Sequence, residues 1–213
     1  MTEHRVFAAV RDAEGEFLAL DDYQAEFDEV YDAARGEVWK LERAQHFHEP
    51  SVPSWRAADE GDWPRALDLI EGMRAPLTRM YREHPSAFLR LRVVETPLTP
   101  YLQWEAHIFA VRVAAGERIR VLPAAAVERL EQHGPLPELV IFGSSLMYQV
   151  CYDEIGAAIG ARRIADDRVV APCLAALTAL YDRAEDLMPF FEREVLPLPA
   201  PAGLSRPGAR FGS

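Results

Sequence analysis

The chain has 213 residues, 49% hydrophobic and 27% charged, with a formal net charge of −11. That length suffices for one large domain or two small ones with a sizeable core. The composition is that of a soluble globular protein, and no run of about 18 apolar residues exists to span a membrane. The acidic balance repels phosphate backbones, so direct nucleic-acid binding is not expected; an acidic surface is otherwise an ordinary solubility feature. The start, MTEHRVFAAVRDAEGE, lacks the basic-then-apolar pattern of a secretory signal. Cys151 and Cys173 are too few for a disulfide framework. A cytoplasmic location is therefore expected. Lys40 is the one lysine among 23 basic residues, which reads as genome composition rather than mechanism.

Residues 5–20 hold two short apolar runs around an acidic break at Gly15, and fit a hairpin or, nearly as well, a frayed helical start. Asp21 or Asp22 then caps a helix on which Tyr23, Phe27, Val30 and Tyr31 fall at helical spacing, with Gly36 closing it. EVWKLE (37–42) reads as a strand, Val38 alternating against Trp39. The segment 43–64, RAQHFHEPSVPSWRAADEGDWP, is rich in proline and polar groups and reads as a long loop of the kind that often carries function. Trp63-Pro64 opens a helix with Leu67, Ile70, Met73 and Leu77 on one stripe, running to Tyr81 with a break at Pro76. A strand at 88–95, the turn ETPLTP, a helix over 100–114, the short strand RIRVLP and a small helix AAAVERLEQHG follow. ELVIFG (138–143) and SLMYQVCYDE (145–154) form a hairpin around GSS. Residues 169–195 read as one long C-terminal helix. The expected fold is α/β: a single domain over 1–195, its mixed sheet parallel in the middle and antiparallel toward 138–154, with helices packed on it. Residues 196–213 read as a disordered Pro/Gly-rich tail.

Two groups of residues carry possible chemistry. In an extended His46-Phe47-His48-Glu49, both imidazoles share one side, and with Glu49 or Glu42 they have the donor types for a divalent metal. His-x-His is a common pattern, however, and no third ligand stands at fixed spacing, so no metal is expected. The second group is Arg92, Glu95, Thr99, Tyr101 and Glu105, at the end of a strand and the start of the next helix, where α/β proteins line their sites. Glu95 serves as acid or base if burial raises its pKa. The plainer account is that Thr99 caps the helix and Glu105 pairs with an arginine such as Arg120 or Arg92. In a parallel sheet the ends of EVWKLE and RVVE lie on one edge. Glu42, His46, His48, Glu95 and Tyr101 are therefore expected around one cleft, with Trp39 or Trp104 as an apolar wall.

The catalytic candidates are thus Glu42, His46, His48, Glu95 and Tyr101. The ligand-binding candidates are Trp39, Glu42, His48, Arg92, Glu95, Thr99, Tyr101, Trp104 and Glu105. Glycine-rich phosphate loops are absent, and nothing around Ser144 and Ser145 resembles a nucleophile elbow. No cofactor is expected. Cys151 and Cys173 read as buried and inert.

The motifs VWKLERAQHFHEPSVPSW, GDWPRAL, RVVETPLTPYLQWE, GERIRVL and LPELVIFGSSLMYQVCYDEIGAAIGA, taken together over residues 20 to 195, resemble an uncharacterised actinobacterial domain family. Its members sit beside helix-turn-helix regulators or in specialised-metabolite gene neighbourhoods. The matching features are Leu41-Glu42, Glu95-Thr96-Pro97, Tyr101, Glu105 and Gly116-Glu117. The pattern AAGERIRVLP with LVIFGSSLMYQVCYDEIG also resembles catalytically empty phospholipase-D-like sensor domains, a likeness at the level of fold. No biochemical activity comes with the resemblance; the leading expectation is a cytoplasmic ligand- or partner-binding protein, auxiliary to regulation, that binds a small molecule or a regulator protein. The alternative is a small biosynthetic enzyme using carboxylate, His and Tyr groups. A third reading is an interaction module working through 169–195, where Leu174, Leu177, Leu180, Tyr181, Leu187, Phe190 and Phe191 offer apolar surface for a homodimer. Neither nucleic acid nor membrane is an expected partner. In a gel-shift assay at physiological salt, micromolar protein is expected to leave random duplex DNA unretarded.

Overall fold

The computed structural model describes residues 3–204. In chain order the elements are α1 (Glu3–Asp12), β1 (Glu16–Ala19), α2 (Leu20–Ala33), β2 (Gly36–Glu42), α3 (Pro53–Asp59), α4 (Trp63–Gly72), α5 (Arg74–Glu83) and β3 (Ser86–Val94). Then come α6 (Pro100–Ala115), β4 (Arg118–Pro123), β5 (Leu139–Phe142), β6 (Leu146–Tyr152), β7 (Ala158–Ile164), α7 (Asp167–Asp182), β8 (Glu185–Asp186) and α8 (Leu187–Phe190). Among the described residues the strands form one mixed sheet in the order β1-β7-β6-β5-β2-β3-β4-β8. β2, β3 and β4 are parallel, while β5, β6, β7 and β1 continue antiparallel on one side and β8 on the other. This is the α/β mixed sheet that the sequence pattern predicts.

Strand alternation divides the core into two faces. On one, Trp39, Leu41, Leu89, Leu91, Val93, Leu139 and Ile141 pack beneath α1 and α7. On the other, Val38, Phe88, Val140, Phe142 and Tyr148 pack beneath Tyr23, Phe27 and Tyr31 of α2. The same alternation puts Lys40, Glu42, Arg90 and Arg92 on this second face, further along β2 and β3. α6 lies in this region and is buried on nearly every side, from Tyr101 to Ala115. It is therefore a core helix rather than an amphipathic surface one. Its outer side is covered by α3 and α4 through Trp55, Ala58, Ala66 and Ile70.

Several local expectations need correction. Residues 5–20 form a helix and then a short edge strand. Neither Asp21 nor Asp22 caps α2: Ala19 is the cap residue, and both aspartates lie in the first turn, where the helix dipole favours them. Gly36, at φ +99°, opens β2 instead of closing α2. The 43–64 loop contains α3, with Pro53 at its first turn. The next helix breaks at Met73, and Pro76 sits in the first turn of α5, where no amide donor is required. Residues 124–134 make two short 3₁₀ turns, with Val127 drawn fully into the core. β7 escapes a reading by pattern because it has glycine and two arginines where apolar residues would mark a strand. Gly160 is required there: a Cβ would stand 2.1 Å from the Leu18 carbonyl oxygen of β1.

The long C-terminal helix is also shorter than expected. α7 ends at Asp182, β8 adds two residues beside β4, and α8 passes into a π-turn at Phe191–Val195. This reversal lays Leu187, Phe190, Phe191 and Val195 against α6 and β4. Leu177, Leu180 and Tyr181 are buried too, so the apolar surface that suggested a homodimer is used within the chain. Among the described residues no helix is long and apolar enough to cross a membrane.

Residues 196–204, read from sequence as the start of a tail, run back over α6 and α3. Gln103 Nε2 donates to the Pro199 carbonyl at 2.9 Å, and Leu204 is 2% exposed among Trp55, Ala58 and Trp104. Residues 205–213 lie outside the described residues. Leu204→Ala is expected to destabilise the protein by about 2 kcal/mol, the low end for a buried leucine, measured by urea denaturation.

Candidate functional site

The second face of β2 and β3 carries charge where a core carries hydrocarbon. Register pairs Lys40 with Arg90 and Glu42 with Arg92 across the two parallel strands. Glu42, Arg90, Arg92, Glu105 and Glu117 are all buried. A charge inside a fold is tolerated only when it is paired and hydrogen-bonded. Here Arg90 Nε donates to Glu117 Oε1 at 2.6 Å and Arg90 Nη1 to Glu42 Oε1 at 2.7 Å. Lys40 Nζ reaches the same Glu42 oxygen at 2.6 Å. Glu117 also accepts from the Tyr81 hydroxyl and, at 3.1 Å, from Arg112. Arg92 Nε donates to Glu105 Oε2 at 2.8 Å. Aromatic rings cover the flat faces, with the Arg90 guanidinium 4.8 Å from the Phe109 centroid and that of Arg92 5.9 Å from Phe47.

The segment after β2 closes over this row. Gln45 joins it to the end of β3: its amide donates to the Val93 carbonyl at 3.0 Å, and its oxygen accepts from Glu95 N–H at 2.8 Å. Thr99 caps α6 by accepting from Leu102 N–H, and its hydroxyl donates to the Gln45 carbonyl at 2.7 Å. On the far side, His48 N–H donates to the Gly156 carbonyl at 2.9 Å. Gly156, at φ +86°, supplies the left-handed backbone of the β6–β7 turn that meets residues 46–48. Phe47 is thereby held against Tyr152, ring centroids 4.6 Å apart, and against Tyr101 at 5.7 Å.

Tyr101 stands at the centre. Its hydroxyl lies 2.8 Å from Glu49 Oε2 and 3.1 Å from Glu105 Oε1. A phenol has one proton, so both contacts are hydrogen bonds only when one of the two carboxyl groups is protonated. The electrostatics agree. Burial raises the pKa of Glu49, and burial with the neighbouring Glu42 and Glu49 charges raises that of Glu105 against the pull of Arg92. Burial pushes Glu138 up to about 7. Burial acts the same way on Glu42 and Glu117, but is outweighed, by Arg90, Lys40 and Arg92 for the first and by Arg90 and Arg112 for the second, so both lie below the usual carboxylate range. The Tyr101 phenol is driven far up by burial and by the Glu105 and Glu49 charges.

Three buried atoms of the cluster have no hydrogen-bond partner among the described residues: Glu42 Oε2, Arg92 Nη2 and Glu138 Oε2. Glu138 Oε1 accepts from the Arg43 and Ala44 amides at 2.8 and 2.7 Å, which leaves its second oxygen over. Extending the β2–β5 register by one residue places Glu138 opposite Glu42. Beyond burial, the Glu138 carboxyl is pulled down by Arg92 and pushed up by Glu42, and the Arg92 guanidinium is held charged by Glu105, Glu42 and Glu138. The Tyr152 phenol is raised by burial and by the Glu138, Glu42 and Glu49 charges.

Of the residues singled out from sequence, Glu42, Arg92, Tyr101 and Glu105 meet in this cluster. His46 packs edge-on to Tyr101 at 5.2 Å at its margin. Burial, then the neighbouring His48, lowers the His46 pKa. His48 turns to Trp55 instead, 4.9 Å away, and among the described residues no three His, Cys, Asp or Glu groups are placed to hold a metal ion. Thr99 is a cap, Trp104 a buried neighbour of Tyr101 at 5.3 Å. Glu95 does not join the cleft: its half-exposed carboxylate pairs with Arg43 at 2.8 Å, whose guanidinium also bonds Glu131. Trp39 is on the opposite face of the sheet, 5.2 Å from Tyr181, because its neighbours Val38 and Lys40 face the site. Lys40, Gln45, Arg90, Glu138 and Tyr152 were not anticipated, while Glu49 is read from sequence only as a metal ligand and Glu117 only as part of a family motif. For Arg90 a signal existed, since FLRLRVV sets two arginines on one side of an otherwise apolar strand.

The model of a family described as a domain of unknown function, DUF6879, matches residues 25–192 of the chain, which belongs to that family. No curated protein matches the sequence.

Protonation of the cluster should appear in the pH dependence of stability. Glu138, and Glu105 with it, hold protons in the folded chain at pH values where an unfolded glutamate, at its ordinary 4.5, has lost them. The folded state then binds more protons, so stability falls as pH rises from 4.5 through about 7. Glu42 and Glu117 act oppositely and lose stability as pH falls below 4.5. Melting temperature against pH is expected to peak near pH 5 and decline toward 7.5. In Glu138→Gln, which cannot titrate, the decline should be shallower.

Proposed function

We propose that this member of the DUF6879 family is a cytoplasmic ligand-binding auxiliary protein, regulatory rather than catalytic, whose ligand enters the polar cluster between β2, β3, α6 and residues 43–52. The observation that carries this reading is the pair of buried carboxylate oxygens, Glu42 Oε2 and Glu138 Oε2, without a hydrogen-bond partner. Leaving such groups unsatisfied costs about 1–3 kcal/mol each, more when charged, and a bound polar group recovers that energy. Lys40, Glu49 and Tyr152 are partly exposed, so the cluster meets the surface on their side. The regulatory part of the reading is supported by the likeness of residues 20–195 to an actinobacterial family found beside helix-turn-helix regulators, and of the second half to phospholipase-D-like sensors.

One observation favours a second reading, acid–base catalysis. The Tyr101 hydroxyl bridges Glu49 and Glu105, and Glu105 has a raised pKa, the property a general acid needs at neutral pH. In that case the cleft would turn its ligand over, with Glu105 as proton donor and Tyr101 orienting it.

Native mass spectrometry of freshly purified protein, with extraction of any retained small molecule, tests the first reading. The expected result is a species heavier than the chain mass, or a metabolite-extract component that raises the melting temperature, lost in Tyr152→Phe and Glu49→Gln. Chemical change of that component during incubation would favour the catalytic reading. Absence of retained mass and of any shift would refute ligand binding at this cluster.

A further inference from the structure

Residues 46–52 cross the charged row as a strap fixed at both roots. At one root Gln45 is bonded to Val93, Glu95 and Thr99, and the Arg43 and Ala44 amides donate to Glu138. At the other, α3 is anchored by the buried Trp55 and Ala58. Between the roots the strap is tied to the sheet and α6 by the His48 N–H on the Gly156 carbonyl and by His46 and Phe47 against the rings of Tyr101 and Tyr152. Its remaining tie is the Glu49 carboxyl, 2.8 Å from the Tyr101 hydroxyl. That tie depends on a proton. Tyr101 has one hydrogen to give, and Glu105 stands 3.1 Å away on its other side, so both carboxyl groups are held only while one carries a proton of its own. Once that proton leaves, two carboxylates compete for one hydroxyl and repel each other. Glu105 is buried in a core helix and bonded by Arg92 at 2.8 Å, so it stays. Glu49 is free to move: it is partly exposed on a segment without regular structure, and among the described residues its carboxyl is bonded to Tyr101 alone.

We infer that residues 46–52 are a proton-controlled strap, closed while Glu49 and Glu105 share a proton through Tyr101 and released from the charged row when that proton is lost. This goes beyond ligand binding and stands whether or not a ligand is present. It also gives the row a way to be reached, since Arg92, Tyr101 and Glu42 are 1%, 1% and 4% exposed beneath the closed strap. The sign follows from where the proton is held. Burial raises the Glu49 and Glu105 carboxyls in the closed state, whereas a released and solvated Glu49 returns to its ordinary 4.5. Above pH 4.5 the closed state binds more protons, so closure weakens as pH rises. The charged groups around the pair are Lys40 and Glu42 of β2, Arg92 of β3, Arg112 of α6 and Glu138 ahead of β5, with the Tyr152 phenol on β6. His46 and His48 lie on the strap itself, and Asp59 of α3 acts on His46. Ionisation of Glu138 works the other way, because its carboxylate accepts from the Arg43 and Ala44 amides and tightens the root.

Hydrogen exchange of the full-length protein, followed by mass spectrometry from about pH 5.5 to 8 and corrected for the intrinsic pH dependence of amide exchange, reads the strap against β3 in the same molecule. Protection of residues 46–52 is expected to fall as pH rises, by up to about tenfold per pH unit, the limit for one proton, while β3 remains protected. In Glu49→Gln the neutral amide donates to the Tyr101 oxygen and leaves the hydroxyl to Glu105. That strap is expected to be better protected than the wild type at the alkaline end and indifferent to pH. A Glu49 that served only as packing would give the reverse, with lower protection at every pH. Glu138→Gln is expected to keep the pH dependence of 46–52, and Tyr101→Phe to lower protection already at the acidic end. Wild-type protection that is absent at the acidic end, flat with pH, or lost in step with β3 would overturn the strap. A Glu49→Gln protein that follows the wild-type pH dependence would assign the titration to His46, His48 or Glu138 and overturn the shared proton, as would a Tyr101→Phe strap protected like the wild type.

Discussion

Arg90 and Arg92 lie on the middle of β3, which has a parallel neighbour on each side and α6 above it. Two guanidinium groups in that position must be neutralised where they stand, because an uncompensated buried charge is far more costly than the few kcal/mol that hold a domain together. That requirement reaches into every element on this face. Glu42 has to close β2 beside Arg92, and Glu117 has to open the approach to β4 beside Arg90. Glu105 has to sit one turn into α6, where a core helix otherwise shows alanine and leucine. Tyr81 on α5 and Arg112 on α6 complete Glu117 and so fix the outer helices against the sheet. The face beneath α1 and α7 makes no such demand: its core is largely hydrocarbon, and Arg162 at its margin bonds Gln149 and the carbonyls of α1 instead of a carboxylate.

Neutralisation is achieved for Arg90 but is uneven around Arg92. Arg90 has two carboxylate partners and an aromatic ring on its face, which is a satisfied site. Arg92 has one carboxylate, Glu105, whose other oxygen is shared with a phenol that is itself shared with Glu49. The proton count around Tyr101 therefore depends on its surroundings, and the neighbouring Glu138 titrates near neutrality. The contrast separates a structural half of the cluster, around Glu42 and Glu117, from a responsive half, around Glu49, Glu105 and Glu138. The responsive half lies where the 43–52 segment and the β6–β7 turn meet over the strand ends, the usual location of sites in open α/β sheets.

The pattern of the sequence carried the sheet because its central strands obey alternation on the apolar side: Trp39, Leu41, Leu89, Leu91 and Val93 all face one core. It carried the α6 cap because Thr99-Pro100 has the chemistry of a helix start. It carried the meeting of the 43–52 segment with the turn at 95–101, which follows from parallel strands ending on one edge. It did not carry β7, whose arginines bond Glu26, Gln149 and backbone carbonyls instead of facing open water. Nor did it carry the reversal after Asp182, because the apolar residues of 187–195 suit either a longer helix or a second packing layer. The site was half legible for one reason. Alternation alone gives no reason to single out Arg90 and Lys40, and only the position of β3 in the sheet and of α6 above it turns that face into an interior. Glu138 is invisible to pattern altogether, since its role depends on two backbone amides across the β2–β5 pair.

A row of ion pairs is a poor way to stabilise a core. Packed hydrocarbon of the same volume would do as well or better, because desolvation consumes most of the Coulombic gain. The apolar face of this same sheet demonstrates that the fold has that alternative available. What the charged row supplies in exchange is a set of acids and bases held away from water, at fixed distances, with charge states that respond to a neighbour. Low dielectric makes each such group sensitive to one added charge or hydrogen bond. Glu42 and Glu138 face each other across adjacent strands with an oxygen each to spare. Occupation of that point would tie β2, β5 and the start of the 43–52 segment together. The same segment reaches α6 through Thr99 and the β6–β7 turn through Gly156. Binding at the carboxylates would therefore be felt at the surface loops of both, the physical route by which a buried site can be read by another molecule.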